Sequence, residues 1–184
     1  KDRNNDLKPT ILCGNGGATS TGAVDSLEQM AEISVRENLW FHVDALYGGF
    51  SILAAEGKEN LVGINLADSV TLDPHKWLFQ PYEIGCLMVR NLQLLESAFR
   101  VTPDYLQDMD LGLEHVNFCD RGLQLTRSAR AFKVWVSIKT FGMKSFRRAI
   151  QNALDFVKEA ESYIEQSAHL ELMTAANLGI VCYR

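Results

Sequence analysis

Short apolar runs, each separated from the next by a segment of helical period, limit the folds open to this sequence more than any other feature. Leu39-Trp40-Phe41-His42-Val43-Asp44-Ala45 is aromatic and β-branched and stays almost continuously apolar up to its aspartate. A run without alternation fits a strand covered on both faces, the usual state in a parallel sheet. Thr10-Ile11-Leu12-Cys13-Gly14 is a similar run that stops at glycine. Between the two lies a small-residue loop, Asn15 to Gly22, followed by Leu27, Met30, Ala31, Ile33 and Ser34 at helical spacing up to Asn38. Asp25 and Ser26 are the N-cap candidates of that helix. Strand, helix and strand in this order make a βαβ unit with a right-handed crossover.

The pattern continues downstream. Leu61 to Leu66 reads as a short helix, Asp68 to Asp73 as a strand, Ile84 to Arg90 as another strand and Leu92 to Phe99 as a helix. Residues 101–126 read as irregular, and a loop of that length inside a compact domain is usually functional. From Ser128 to about Ser167 the period is helical, with a break near Gly142 and an apolar face through Phe146, Ile150, Leu154, Phe156 and Ile164. Preceding that face, Phe132, Val136 and Ile138 mark the first helix. The tail, Glu171-Leu172-Met173 and Ile180-Val181-Cys182-Tyr183, reads as two strands of a different sheet. A domain boundary is expected near residue 145, dividing 1–145 from 146–184.

Composition excludes several classes. With 18 basic and 23 acidic side chains the formal net charge is −5, and no Lys/Arg cluster is dense enough to neutralise a nucleic-acid backbone. No run of 18 apolar residues offers a membrane span. Cys13, Cys86, Cys119 and Cys182 stand tens of residues apart, so buried free thiols in a reducing, cytoplasmic compartment are expected rather than a disulfide framework. H-E-x-x-H and C-x-x-C are absent, and neither His115 nor His169 has metal-like spacing, so no metal is expected.

Open α/β sheets place ligands beyond the carboxyl ends of their strands, and two such ends carry unusual groups. Asp44 closes the run Trp40-Phe41-His42-Val43, and Lys76 follows a second strand in Asp73-Pro74-His75-Lys76-Trp77. A carboxylate at the end of an apolar strand needs a cation. Its partner is either a ligand nitrogen or a protein group, with a helix cap or a pair with Arg127 or Arg130 as the plain structural alternative. Lys76, flanked by Pro, His and Trp, is either an amine nucleophile or a surface lysine lying along Trp77. Together, a Schiff-base lysine and an acid for a pyridinium nitrogen are the pair that pyridoxal phosphate chemistry requires. His42, just ahead of the acid, is expected to point to the opposite side of the strand as a buried, satisfied histidine.

His42-Val43-Asp44-Ala45 with Tyr47-Gly48-Gly49, then Asp68-Ser69-Val70 and Asp73-Pro74-His75-Lys76-Trp77, closely resembles the group II pyridoxal-phosphate-dependent amino-acid decarboxylases. The resemblance runs over essentially the whole chain, most clearly from Gly14 to about Ile150. It implies an α/β fold of fold type I (aspartate aminotransferase-like), with part of the large cofactor-binding domain and the start of an α+β C-terminal small domain. It further implies a Schiff base between Lys76 and pyridoxal 5'-phosphate, and Asp44 on the pyridine nitrogen. His75 falls near the phosphate, Thr19 lines the cofactor pocket and Arg127 supports the acid or the pocket. Pro103-Asp104-Tyr105-Leu106 matches the family's mobile catalytic loop, whose tyrosine returns a proton to the substrate carbon. The implied reaction is decarboxylation of an L-amino acid, aromatic first and small acidic or diamino acids second, by a homodimer.

Two departures qualify the resemblance. Where the family carries a small residue against one face of the ring, this sequence has Leu46, which narrows the substrate pocket or tilts the ring. Family members are also several hundred residues long. The chain is therefore expected to begin inside their large domain, to hold the cofactor poorly when isolated and to leave apolar surface uncovered. The competing readings are another fold-type I enzyme, an aminotransferase or carbon–carbon lyase, and an inactive fragment that acts only through its interfaces.

Overall fold

The computed structural model describes residues 7–100 and 116–184. They fall into two compact units, one formed by residues 7–88 with 130–184 and the other by 89–100 with 116–129.

The first unit is built on a sheet of order β1-β2-β3-β4, with β1 at Ile11–Asn15, β2 at Trp40–Asp44, β3 at Ser69–Leu72 and β4 at Cys86–Val89. β1 pairs parallel to β2 and β2 parallel to β3. Helix α1, Leu27–Glu37, makes the crossover from β1 to β2, as its period predicts. It ends at Asn38, which sits in the left-handed region and turns its N–H back to Ser34 and Val35. Asp25 does not cap α1; its Oδ2 accepts from the Asn15 N–H at 2.8 Å and fastens the loop to the end of β1.

Phe41, Val43 and Ala45 point to one side of β2 and are fully buried against Leu27, Ala31, Leu61 and Leu72. Burying the Phe41 and Val43 side chains stabilises the fold by roughly 1.5–3 kcal/mol each. The other side of β2 carries half-buried Trp40 and His42 and exposed Asp44, so the run is closed on one face and polar on the other. The cysteines are free, but none is buried: Cys13 and Cys86 are exposed and Cys119 and Cys182 partly so. Cys13 and Cys86 lie on β1 and β4, the two outer strands, where the pleat turns alternate side chains away from the core.

The short helix expected over 61–66 is displaced. Helix α2 spans Ala55–Asn60, and only Ile64–Leu66 forms a 3-10 turn. Glycine at 57 hid α2 from a reading of propensity, yet packing demands it, since a Cβ there would overlap the Ser51 carbonyl. Downstream, α4 (Arg130–Phe141) and α5 (Met143–Glu165) break at Gly142, as expected. In α5 the buried residues are Phe146, Ile150, Leu154, Val157 and Ile164. Phe156 is exposed, because the inward position three residues after Leu154 belongs to Val157. Ile150 and Leu154 join Ala54, Trp77 and Leu178 in a second core cluster. α4 buries none of its side chains, and Phe132 and Trp135 stack on its exposed surface with centroids 5.9 Å apart. The tail forms the expected separate sheet, an antiparallel pair of β5 (Leu172–Asn177) and β6 (Ile180–Tyr183).

In the second unit, α3 spans Leu92–Phe99 and Asn91 caps it, its side chain accepting from the Gln93 N–H at 3.0 Å. A 3-10 turn at Phe118–Arg121 packs on α3, and Arg121 grips Glu96 through Nη2 at 2.7 Å and Nε at 2.9 Å.

Candidate active site

Because β1, β2 and β3 run parallel, their carboxyl ends lie on one edge of the sheet. Register places Asn15 beside Asp44 and Asp44 beside Thr71. Three chain segments therefore leave the same edge: the glycine-rich loop from β1, the Asp44–Gly49 bend from β2 and the Asp73–Trp77 turn from β3. Asp44 and Lys76 belong to neighbouring corners, the second and third of these.

Asp44 Oδ1 accepts from its own bend, the Leu46 N–H at 3.2 Å, and at 3.4 Å from the Thr71 hydroxyl. Its Oδ2 takes no hydrogen bond among the described residues. The carboxylate forms no ion pair there either, and Arg130 instead binds Glu83 through Nε at 3.1 Å. That guanidinium holds the Glu83 carboxyl below the usual carboxylate range.

Lys76 does not lie out along Trp77. Its Nζ stands 2.9 Å from Asp73 Oδ2, one helical turn back, and the side chain is only 32% exposed. His75 is fixed by its neighbour, with Nδ1 donating to the Ile84 carbonyl at 2.7 Å. A carbonyl accepts only, so this bond puts the proton on Nδ1 and leaves Nε2 toward Asp73 Oδ2, 3.7 Å away. Tyr82 meets the imidazole edge-on. Thr19 is exposed in the β1 loop and Leu46 is half-buried beside the acid. Arg127 belongs to the other unit, and Tyr105 lies outside the described residues.

His42 corrects the sequence expectation. It precedes Asp44 by two residues, so alternation places both on one face of β2, opposite Phe41 and Val43. Its Nδ1 is 2.7 Å from Ser69 Oγ, which also accepts from Trp40 Nε1 at 2.8 Å. Its Nε2 faces Thr71 Oγ1 at 3.5 Å. One assignment satisfies every group: Trp40 donates to Ser69, Ser69 to His42 Nδ1, His42 Nε2–H to Thr71, and Thr71 to Asp44. His42 thus sits in the middle of a polar row that runs to the acid; the two-residue spacing alone was enough to place it on the face of Asp44.

Behind the corners, Tyr47 and Trp77 meet edge to face at 5.7 Å. Burial pushes the Tyr47 phenol above its ordinary pKa, against the opposing effect of its hydrogen bonds to Trp77 and Gly179.

Residues 1–184 all match the family described as "Pyridoxal-dependent decarboxylase conserved domain". The chain belongs to that family. Its whole length is 43% identical over 185 residues to an aromatic-L-amino-acid decarboxylase of Bacillus atrophaeus, of which it covers 38%. It is 31% identical to a phenylacetaldehyde synthase of Petunia hybrida and covers 37% of that protein. Among solved structures, that of Oryza sativa TDC with PLP and tryptamine superposes with a TM-score of 0.92 at 30% identity, over 99% of this chain and 37% of that one. The chain thus spans less than two fifths of these relatives, and the α/β fold over that span is theirs.

The donor set fits pyridoxal phosphate at two of its ends. The groups present are of the kinds that cofactor takes: the primary amine of Lys76, and on Asp44 a carboxylate whose Oδ2 has no hydrogen-bond partner among the described residues. Among the described residues no group of His, Cys, Asp and Glu is arranged to hold a metal ion.

Proposed function

We propose that the protein carrying this chain is a pyridoxal-phosphate-dependent decarboxylase of L-amino acids, aromatic ones first. One observation carries the proposal: Asp44 and the Asp73–Lys76 turn leave adjacent carboxyl ends of parallel strands, with Asp44 in register beside Thr71. Bound pyridoxal phosphate supplies the sink for the electron pair left on the α-carbon when carbon dioxide departs. Lys76 would hold the aldehyde end through Nζ, and Asp73, 2.9 Å from that nitrogen, would steady the amine. Asp44 keeps a proton on the ring nitrogen, with Thr71 and the Leu46 N–H orienting its carboxylate. His75, locked by the Ile84 carbonyl, would hold the phosphate end, Thr19 would line the pocket and Leu46 would pack on the ring. Arg127 supports the pocket, and Tyr105 moves a proton to the α-carbon.

The finer organisation belongs to the same proposal. Residues 1–145 end the cofactor domain and 146–184 begin the small domain, and the protein works as a cytoplasmic homodimer. No helix among the described residues is long and apolar enough to cross a membrane.

Release of carbon dioxide with formation of the amine, assayed on aromatic and then on acidic and diamino acids in the complete polypeptide, tests the reading. Lys76→Ala is expected to abolish release. Asp44→Asn is expected to slow it roughly 10²–10³-fold, the scale of losing one preorganised electrostatic contact. Tyr105→Phe is expected to slow it as well. A keto acid in place of the amine, or full activity in Lys76→Ala, overturns it.

A further inference from the structure

The turn of the β5–β6 hairpin, 177–179, is far in sequence from the corners that carry Asp44 and Lys76, yet it packs behind them. Leu178 is 1% exposed and adopts φ +53°, a conformation that L side chains enter rarely and keep only where surroundings over-determine it. Asn177 enforces it, its Oδ1 accepting from the Leu178 N–H at 2.9 Å.

The socket is made by absent side chains. A Cβ on Gly17 would stand 2.8 Å from Leu178 Cδ1 and 2.8 Å from the Gly48 Cα, and a Cβ on Gly48 would stand 2.7 Å from the same Cδ1. Gly17 itself has φ +129°. Leu178 thus fills the space where the β1 loop and the β2 bend meet. Next to it, a Cβ on Gly179 would stand 3.0 Å from both Trp77 Cζ2 and Tyr47 Oη. Trp77 follows Lys76, and Tyr47 lies three residues past Asp44. Asn177 Nδ2 donates to the Gly22 carbonyl at 3.0 Å, and its Oδ1 also accepts from Asn60 Nδ2 at 2.9 Å. One three-residue turn touches the loop of Thr19, the bend after Asp44 and the residue after Lys76.

We infer that Asn177-Leu178-Gly179 is a positioning wedge that sets the spacing of the amine and acid corners, with Leu178 as its central positioning residue. The inference rests on the proposed cofactor site and adds to it a control from the C-terminal hairpin. The wedge reaches the site without touching substrate, so its loss shows first as loosened corners and a poorly held cofactor.

The test compares Leu178→Ala, Leu178→Met and, as a control, Leu61→Ala, which opens a cavity in the other core cluster. Amide hydrogen exchange is measured in the cofactor-free complete polypeptide, and the rate of pyridoxal phosphate loss in the loaded one. Leu178→Ala is expected to raise exchange at least tenfold in residues 16–22, 45–49 and 76–80, and cofactor loss at least tenfold. Leu178→Met is expected to restore both, and Leu61→Ala, at a matched fall in Tm, to leave cofactor loss and exchange in residues 16–22 and 76–80 unmoved. Unchanged exchange in those segments overturns the wedge, as does raised exchange with unchanged cofactor loss. Should Leu178→Ala not fold, Asn177→Ala is read in residues 16–22 by the same criteria. If the unsubstituted protein takes up no cofactor, the proposed function fails, and exchange alone decides the wedge.

Discussion

Tyr47 illustrates how much a single side chain near the acid corner is constrained. Its ring is held edge-on by Trp77, and burial disfavours the phenolate. The folded state therefore keeps the phenolic proton to higher pH than the unfolded chain. The associated stability is intact below the ordinary tyrosine value of about 10, and is lost as pH rises from there through the higher folded value. In a spectrophotometric titration Tyr47→Phe is expected to remove a component that ionises above the ordinary tyrosine value. Loss of a component at or below the ordinary tyrosine value in Tyr47→Phe contradicts this placement of the ring. The placing of Asp44 and Lys76 at neighbouring carboxyl ends was legible in the sequence, because Asp44 closes an apolar run and Lys76 lies in the turn that follows the next one. The support around them was not. His42 was misassigned to the wrong face, and Asp73, the partner of the Lys76 amine, reads in sequence as an ordinary turn residue.

Elements show a similar division. β1, α1, β2, β3, α3 and the terminal hairpin were legible because the apolar period and the polar or small residues that bound each run agree. α2 was not, since six residues with a central glycine carry no helical preference of their own, and tertiary packing decides them. Its helix persists because Gly57 lets the chain close on Ser51, whose Oγ is buried without a hydrogen-bond partner among the described residues. Gly57→Ala forces that backbone apart. The substitution is expected to destabilise the protein by about 1–3 kcal/mol, the scale of overpacking, despite alanine's better helix propensity. Chemical denaturation measures it, and an unchanged or raised midpoint contradicts the close approach. The wedge at Leu178 was equally invisible in the sequence. Its meaning lies in contacts to Gly17 and Gly48, more than a hundred residues away.

At the scale of the molecule, a parallel sheet gathers groups distant in sequence onto one edge, and chemistry follows from which groups arrive there. Here a glycine-rich loop, an acid and an amine arrive in strand order, and a hairpin from the far end of the chain packs against all three corners. The most direct measurement is to incubate the complete polypeptide with pyridoxal phosphate, reduce with borohydride and map the modified peptide by mass spectrometry. The expected result is one reduced cofactor adduct, on the Nζ of Lys76 within Asp73–Trp77. An adduct on another lysine with Lys76 unmodified contradicts the assignment.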